Sequence, residues 1–513
     1  MCASSTTTAT ADRARQSEST LASRLLANPT PALKWAAVFA ALLAVEFGAF
    51  LAGSAVVLNS INMGITALLD MLLSTVDPGF AGPVLDLQGF VAGNLEGLRQ
   101  FGESLPTLLS RDVIPNQGWQ TGPTGPWEGT FLGLQPAYAW AVRTLMIVAY
   151  TIVMAYWLFR AWLVFRKHYR AADWTPRDDI VDRLRGHRWA EFGIVVLLLF
   201  LTMALFAPAL GTASVDQNVM NSYSYDIKYF DQEAGEVATI NAGKANFNSK
   251  SKGAGEENVA PMTYDDFGRF HPFGTNKPGR DLFTILMHGA RNALIVAAMG
   301  IGLAATIATI LALISAFYGG TIDLVILTTA DGVMSIPQLL LLILATSLFN
   351  GHWLDKILDG GFLIGVVFAL SGWPFLWRAI RGPAFQTAQE EWIDAAKSYG
   401  QKPRNIMQKH ILPYVTGYML IYASMSFGSV VILLAALSFL NVGINPPTPS
   451  WGRMVAQGQP YVSTPSWHIS MIPGLLIVFV VTGLNALGDG IRDAIDPESE
   501  AGRESEAATG GGA

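Results

Sequence analysis

The chain has 513 residues, of which 51% are hydrophobic and only 14% are Asp, Glu, Lys or Arg, against roughly 25% charged in ordinary soluble proteins. Its mean hydropathy is +0.36, and 33 basic residues against 39 acidic ones leave a net charge of −6. These figures exclude a soluble enzyme, a disordered chain and a nucleic-acid binder, which needs a basic field. A single cysteine, Cys2, excludes an intramolecular disulfide framework and any Cys-clustered metal site.

In chain order, residues 1–32 are rich in Ser, Thr and Ala and lack apolar periodicity, so they are expected to be disordered. A membrane span needs about 20 mostly apolar residues. Eight stretches qualify: 33–58, 138–165, 192–210, 293–317, 322–348, 362–380, 414–440 and 472–487. Lipid offers no water to an unpaired backbone, so each is expected to be an α-helix. The fold class is therefore an all-α membrane protein of about eight transmembrane helices. A shorter apolar stretch, 61–73, holds Asn62 and Asp70 and reads as an interfacial or packed helix. Residues 117–130 read as an ordered external turn region, 241–258 as a flexible loop, and 498–513 as a disordered acidic tail.

Loop charge sets orientation. Residues 166–188 hold seven Lys/Arg and 378–409 hold six, whereas 59–136 hold only Arg99 and Arg111, and 441–471 only Arg453. The positive-inside rule makes the first two cytoplasmic and the last two external. Alternation through eight spans then places both termini in the cytoplasm and loop 211–282 outside. The expected location is the cell membrane, with the chain crossing it many times.

The most informative segment is cytoplasmic, QTAQEEWIDAAKSYGQKPRNIMQKHILP from Gln386 to Pro413. Phe385, Ala388, Trp392, Ala395, Ala396 and Tyr399 recur at helical spacing as one apolar stripe. Gly400 suits the left-handed residue at a helix end, and Pro403 the first turn of a second helix. Such a helix–turn–helix, anchored to spans at both ends, passes a push from a partner into the membrane. An amphipathic helix lying on the lipid surface fits the same pattern.

Asp394-Ala395-Ala396, Gly400 and Ile411-Leu412-Pro413 resemble the EAA loop of ABC importer permeases, with aspartate in place of the first glutamate. In that family the loop is the coupling helix that docks on the ATPase. The resemblance thus marks Glu391, Trp392, Asp394, Ala395, Ala396 and Gly400 as coupling residues. Further runs narrow it to the second-permease branch of the dipeptide/oligopeptide importers. His271-Pro272-Phe273-Gly274-Thr275, Gly279-Arg280-Asp281 and Gly289-Ala290-Arg291 are similar to its entry motif, with Asn276 where aspartate is usual. Ser438-Phe439-Leu440 with Pro446 to Gly452, and Asn485 to Pro497, match two later runs. Gly274, Thr275, Gly279, Arg280 and Asp281 form the external entry motif. There Arg280 and Asp281 read either as a neutralising pair that pins the turn or as a solvated interfacial pair.

The resemblance covers 190–497 and implies a six-helix permease core with external loop 211–282 and coupling segment 381–413. Residues 33–189 add two N-terminal helices with external loop 59–136 and basic cytoplasmic loop 166–189. It further implies a sister permease as heterodimer partner, one or two cytoplasmic ABC ATPases that bind ATP and Mg, and an extracytoplasmic solute-binding protein. The chain itself would hold no cofactor, no metal and no catalytic residue, and would touch no nucleic acid. Its seven histidines lack paired-ligand spacing and no P-loop occurs. The implied solute is a di- or oligopeptide; related systems carry nickel, glutathione or sugars.

Ionisable residues within spans are functional candidates by default. Asp331, with Ser335 and Pro337 a turn on, is the expected lining of a translocation path. Glu46 in the first span reads as paired with a neighbouring helix or snorkelling towards the interface. Asp489, Arg492 and Asp493 either contact the ATPase or mark the membrane boundary. A self-contained secondary transporter would need more intramembrane carboxylates and usually internal repeats.

Overall fold

The computed structural model describes residues 21–74, 81–105, 107–170, 176–249 and 257–495. Six of its helices are long and apolar enough to cross a membrane, and two bent helix pairs bring the number to as many as eight. All eight apolar stretches fall on these elements. The molecule is a mostly helical, multi-pass membrane protein.

The N-terminal part comprises α1 (Leu21–Ala27), α2 (Thr30–Val45), α3 (Phe47–Ser74), α4 (Ala81–Ser104), α5 (Pro136–His168) and α6 (Pro176–Gly186). The expectation of disorder through residue 32 is corrected here: the chain is helical from Leu21 to Ala27 and again from Thr30. Residues 1–20 and 496–513 lie outside the described part. Helices α2 and α5 run antiparallel. The indoles of Trp35 and Trp157 donate to each other's carbonyls at 3.0 and 3.1 Å, and the Tyr150 hydroxyl donates to the Leu42 carbonyl at 2.9 Å.

The first expected span is not straight. The chain turns by 79° between Val45 and Phe47. At the break the Glu46 carboxylate accepts from the Leu109 N–H at 3.0 Å, and the Val45 carbonyl accepts from the Leu108 N–H at 3.2 Å. A distant turn has thus taken over backbone groups that a continuous helix would pair internally. Stretch 61–73 is the continuation of α3, which packs antiparallel against α4. Close approach depends on Gly48 and Gly102: a Cβ on Gly48 would lie 2.6 Å from the Gly102 carbonyl oxygen.

The core comprises α7 (Arg188–Leu205), α8 (Ala242–Asn248, within the loop that follows), α9 (Leu282–Tyr318), α10 (Gly320–Met334), α11 (Gln338–Leu348), α12 (Gly361–Ala388), α13 (Glu391–Ser398), α14 (Leu412–Phe439), α15 (Trp451–Gly458) and α16 (His468–Ile495). The fifth expected span is the second broken one, bent by 76° between α10 and α11. Pro337 causes this, since it lacks an N–H and drives the residue before it out of the helical region. Helices α9 and α12 pack through small residues. Ala304, Ala308 and Ala312 are fully buried on one face of α9, and a Cβ on Gly300 would stand 3.3 Å from the Gly365 carbonyl. In lipid, close backbone approach of this kind replaces the hydrophobic drive that water would supply.

Two of the three apolar clusters among the described residues mark the two ends. One, at the loop-rich end, gathers Phe200, Leu282, Leu286, Val431, Trp451 and Val480. The other, at the opposite end, gathers Ala312, Trp377, Ile380, Ala384, Ile393, Ile406 and Ile411. The loops add three antiparallel two-stranded ribbons: β1 (Trp119–Gln120) with β2 (Trp127–Glu128), β3 (Asp226–Asp231) with β4 (Glu236–Asn241), and β5 (Thr263–Tyr264) with β6 (Phe270–His271). Stretch 241–258, expected to be a flexible loop, instead begins with helix α8. Its capping Asn241 side chain accepts from the Gly243 N–H at 3.0 Å. Residues 250–256 lie outside the described part.

Candidate functional site

Helix α12 ends at Ala388, and Glu390 restarts the chain in an extended conformation as the N-cap of α13. The apolar stripe expected to run from Phe385 to Tyr399 is therefore divided between two helices. On α13 the buried positions are Ile393 at 0% exposure and Ala396 at 6%. Glu391, Asp394 and Ala395 are exposed, and Trp392 and Tyr399 expose 44% and 88% of their surface. Ala395, expected to sit on the packed stripe, is thus open to a partner. Trp392 is held in place by stacking on Tyr414 of α14, ring centroids 5.9 Å apart.

Gly400 ends α13 with φ at +71°. Its N–H donates to the Lys397 carbonyl at 2.9 Å and that of Gln401 to the Ala396 carbonyl at 3.1 Å, which satisfies carbonyls otherwise orphaned at a helix end. Pro403 opens the next turn, Pro403–Ile406, and a π-helical turn, Met407–Ile411, delivers the chain into α14. Ile406 and Ile411 pack in the same cluster as Ile393. So α13 is fixed by its inner face to the ends of α9, α12 and α14, with its outer face free.

A polar tie lies just above it. Arg381 of α12 forms a two-point ion pair with Asp323 of α10, with Nε to Oδ1 at 2.8 Å. The Ser315 hydroxyl of α9 donates to the same carboxylate. The Arg381 guanidinium also lies over the rings of Trp377 and Phe385, at 5.6 and 4.8 Å. Sequence reasoning missed this tie, because its members are 58 residues apart; a carboxylate and an arginine at the same end of two spans was the only signal.

The entry motif folds as a turn at the opposite end. Gly274 and Gly279 have φ of +76° and +80°. The Thr275 hydroxyl donates to the Ser249 carbonyl at 3.1 Å and accepts from the Val259 N–H at 3.1 Å. Asp281 caps α9 by accepting from the Thr284 N–H at 2.7 Å. Neither reading of Arg280 with Asp281 holds. Asp281 is buried and joins His271 at 2.9 Å, while Arg280 forms no ion pair among the described residues. His271 also faces Asp265 at 3.5 Å, and Asp265 accepts from Arg269 Nε at 2.7 Å. Burial works against both charges. Even so, the two aspartates raise the His271 pKa above its ordinary value, and Arg269 with His271 holds the Asp265 carboxyl well below the usual range. Asn276, where aspartate was expected, accepts from the Arg280 N–H at 2.9 Å.

Asp331, Ser335 and Pro337 are all exposed on this chain. Asp331 is ion-paired with Arg378 of α12, and the Ser335 hydroxyl donates to the Gly332 carbonyl at 2.7 Å. Glu46 sits at a helix break, its carboxylate on the Leu109 N–H and within electrostatic reach of Tyr150 on the facing helix α5. Asp489 and Arg492 stay without a distinguishing contact, whereas Asp493 lies 3.5 Å from His187, the N-cap of α7.

Comparison with known proteins shows what the chain is similar to. A family model described as binding-protein-dependent transport system inner membrane component matches residues 304–500. A second, the N-terminal TM domain of oligopeptide transport permease C, matches 175–229. The chain is 29% identical over 324 residues to the dipeptide transport system permease protein DppC of Alkalihalophilus pseudofirmus, covering 63% of this chain and 90% of that one. It is 32% identical over 234 residues to the probable D,D-dipeptide transport system permease protein DdpC of Escherichia coli, covering 45% and 74%. A solved structure of the MetNI methionine ABC transporter in inward-facing conformations aligns with a TM-score of 0.33 at 16% identity, over 41% of this chain and 96% of that one.

Proposed function

Because the chain belongs to the binding-protein-dependent transport inner membrane component family, we propose that it is the permease subunit of an ATP-driven importer of di- or oligopeptides. It is a membrane permease subunit and not a catalytic enzyme. One observation carries the reading: α13 is locked by Ile393 and Ala396 into the ends of three long helices while Glu391, Trp392, Asp394, Ala395 and Tyr399 face outward.

In this reading the end bearing α13 is cytoplasmic, and both termini lie on that side. A cytoplasmic ATPase, holding ATP and Mg, grips the outer face of α13. Its closure moves the helix, and the shared apolar cluster carries the displacement into α9, α12 and α14. A sister permease completes the pathway opposite α10 and α11, where Asp331, Ser335 and Pro337 face away from this chain's own core. A solute-binding protein delivers peptide at the loop-rich end, where Gly274, Thr275, Gly279 and Asp281 hold the entry turn to α9. Residues 190–497 form the transport core and 33–189 an added N-terminal unit.

The test is reconstitution of the complex in liposomes with Ala395→Arg, which puts bulk and charge on the outer face of α13 without touching its buried side. Peptide uptake and binding-protein-stimulated ATP hydrolysis should both be lost while insertion and thermal stability stay at wild-type values. Uptake at the wild-type rate would reject the coupling role.

A further inference from the structure

We propose that the hairpin of α3 and α4 is an in-plane membrane anchor, with one side sunk in lipid at the loop-rich surface of the bilayer and the other in water. Its level follows from the helices around it. The hydrogen bonds of Trp35 with Trp157 and of Leu42 with Tyr150 set α2 and α5 in register, which places Glu46 level with Met146. Met146 stands roughly 30 Å from Arg166, in the basic last turn of α5, at about 1.5 Å per residue, and the hydrocarbon core is about 30 Å thick. Glu46 is therefore where α2 leaves the core. There the chain turns by 79°, so α3 departs nearly along the bilayer surface instead of continuing the span. Along its course α3 lies against the turn Ile357–Gly360, which opens α12 at the same loop-rich end.

The faces of the hairpin match that level. Its helices pack through Gly48 and Gly102, where a Cβ on Gly102 would lie 2.8 Å from the Gly48 carbonyl oxygen. Exposed Phe47, Phe50 and Leu58 form a stripe on α3, and exposed Leu87, Phe90 and Phe101 a stripe on α4. At about 100° per residue, each stripe trails its packing glycine by roughly a quarter turn around the helix. Antiparallel helices wind in opposite senses when seen from one end, so both stripes fall on one side of the hairpin. On α4 the opposite side carries Glu96, Arg99 and Glu103, with Arg99 paired to the two carboxylates at 2.6 and 2.8 Å. An aromatic and aliphatic face left in water is costly, and so is a charged face in hydrocarbon. A helix that carries both satisfies both only at the boundary, lying in its plane. The occupant of the apolar side is bilayer lipid, because that side continues from the surface of α2 and α5, where Leu33, Val38, Leu145 and Met146 are exposed. The added unit is thereby held to the membrane surface beside the turn that opens α12.

The test uses the full chain carrying Cys2→Ser, into which Leu58→Cys, Phe90→Cys, Phe101→Cys and Glu103→Cys are introduced singly. Each variant is labelled with a nitroxide and reconstituted in phosphatidylcholine–phosphatidylglycerol liposomes. Power saturation then compares collisions with dissolved oxygen, which concentrates in lipid, and with a water-soluble nickel chelate. Labels at positions 58, 90 and 101 should meet oxygen several-fold more than nickel, and the label at 103 the reverse. All four positions are exposed, so no substitution opens a cavity, and unfolding midpoints should match the Cys2→Ser parent. Position 58, on the other helix, gives an independent reading should an α4 variant fail to insert. Nickel access at 58, 90 and 101 equal to that at 103 would put the apolar side in water and overturn the anchor. Shielding of 58, 90 and 101 from both reagents would place protein on that side and overturn it as well.

Discussion

Arg381 and Asp323 join two helices at the end of the molecule that carries α13, and Arg381 lies only ten residues before α13 begins. The pair sits above the apolar cluster that holds Ile393. It is the polar counterpart of that cluster, tying α10 to α12 so that the two do not slide independently.

The first prediction concerns that tie. Asp323→Asn and Arg381→Gln should each slow peptide uptake, and a double-mutant cycle on thermal stability should give a coupling of about 1.5 kcal/mol, as for hydrogen bonds to charged groups. Arg381→Lys should restore little, because an ammonium cannot make the two-point contact. A coupling energy near zero would show the pair to be incidental.

Gly400 separates backbone strain from crowding. A Cβ there meets nothing within 4 Å, so only its φ of +71° opposes substitution. Gly400→Val should cost about 1–2 kcal/mol and sharply reduce uptake in a protein that still inserts. Gly400→Asn, which tolerates the left-handed region, should retain most activity. Equal loss in both variants would point to a requirement for bare backbone against the partner instead.

The two faces of α13 should respond oppositely. Ile393→Ala removes a fully buried side chain and should cost about 2–5 kcal/mol, read as a lower unfolding midpoint in detergent. Ala396→Glu should behave likewise, since its carboxylate would enter the apolar cluster. Tyr399→Ala should leave the midpoint unchanged, and ATPase stimulation should fall. Loss of stability in Tyr399→Ala would contradict the exposed outer face.

The His271 network predicts a pH profile. A histidine whose pKa is raised in the fold contributes stability that is complete below about pH 6.5 and is lost as pH rises through the raised value. Asp265, held low, contributes above the usual carboxylate range and loses its contribution only in strong acid. Hydrogen-exchange protection of residues 263–282, corrected for intrinsic rates, should therefore fall from pH 6 to pH 9. His271→Gln should flatten that fall; an unchanged slope would exclude the network as its source.

Glu46 gives a local test of the N-terminal unit. Glu46→Ala strips the Leu109 N–H of its acceptor and should cost about 1–3 kcal/mol. Glu46→Gln keeps an oxygen there and should cost less, whichever way the helix bend responds. Differential scanning of the two variants distinguishes them.

The local structure of the α13 segment was readable in advance. Asp394-Ala395-Ala396, Gly400 and Pro403 lie within ten residues, and the helix, turn and restart they specify depend on local backbone preference. The division of the apolar stripe at Glu390 was not readable, because helical spacing alone does not reveal a one-residue extended break. Nor was the partner of Asp281. Arg280 is adjacent in sequence, but a residue and its neighbour point apart at a helix start, and the fold brings His271 to the carboxylate instead.

Hydropathy alone determined how many segments can cross a lipid layer and where they lie, because a span must be apolar over its whole length and satisfy its backbone internally. It had no power over which side of each span meets protein, since a lipid-facing leucine and a packed one look alike in such a pattern. The 79° bend, the buried face of α13 and the pairing of Arg381 with Asp323 were decided only when distant parts of the chain met. There, close contact and the need to satisfy each polar group selected one partner among many that composition allowed.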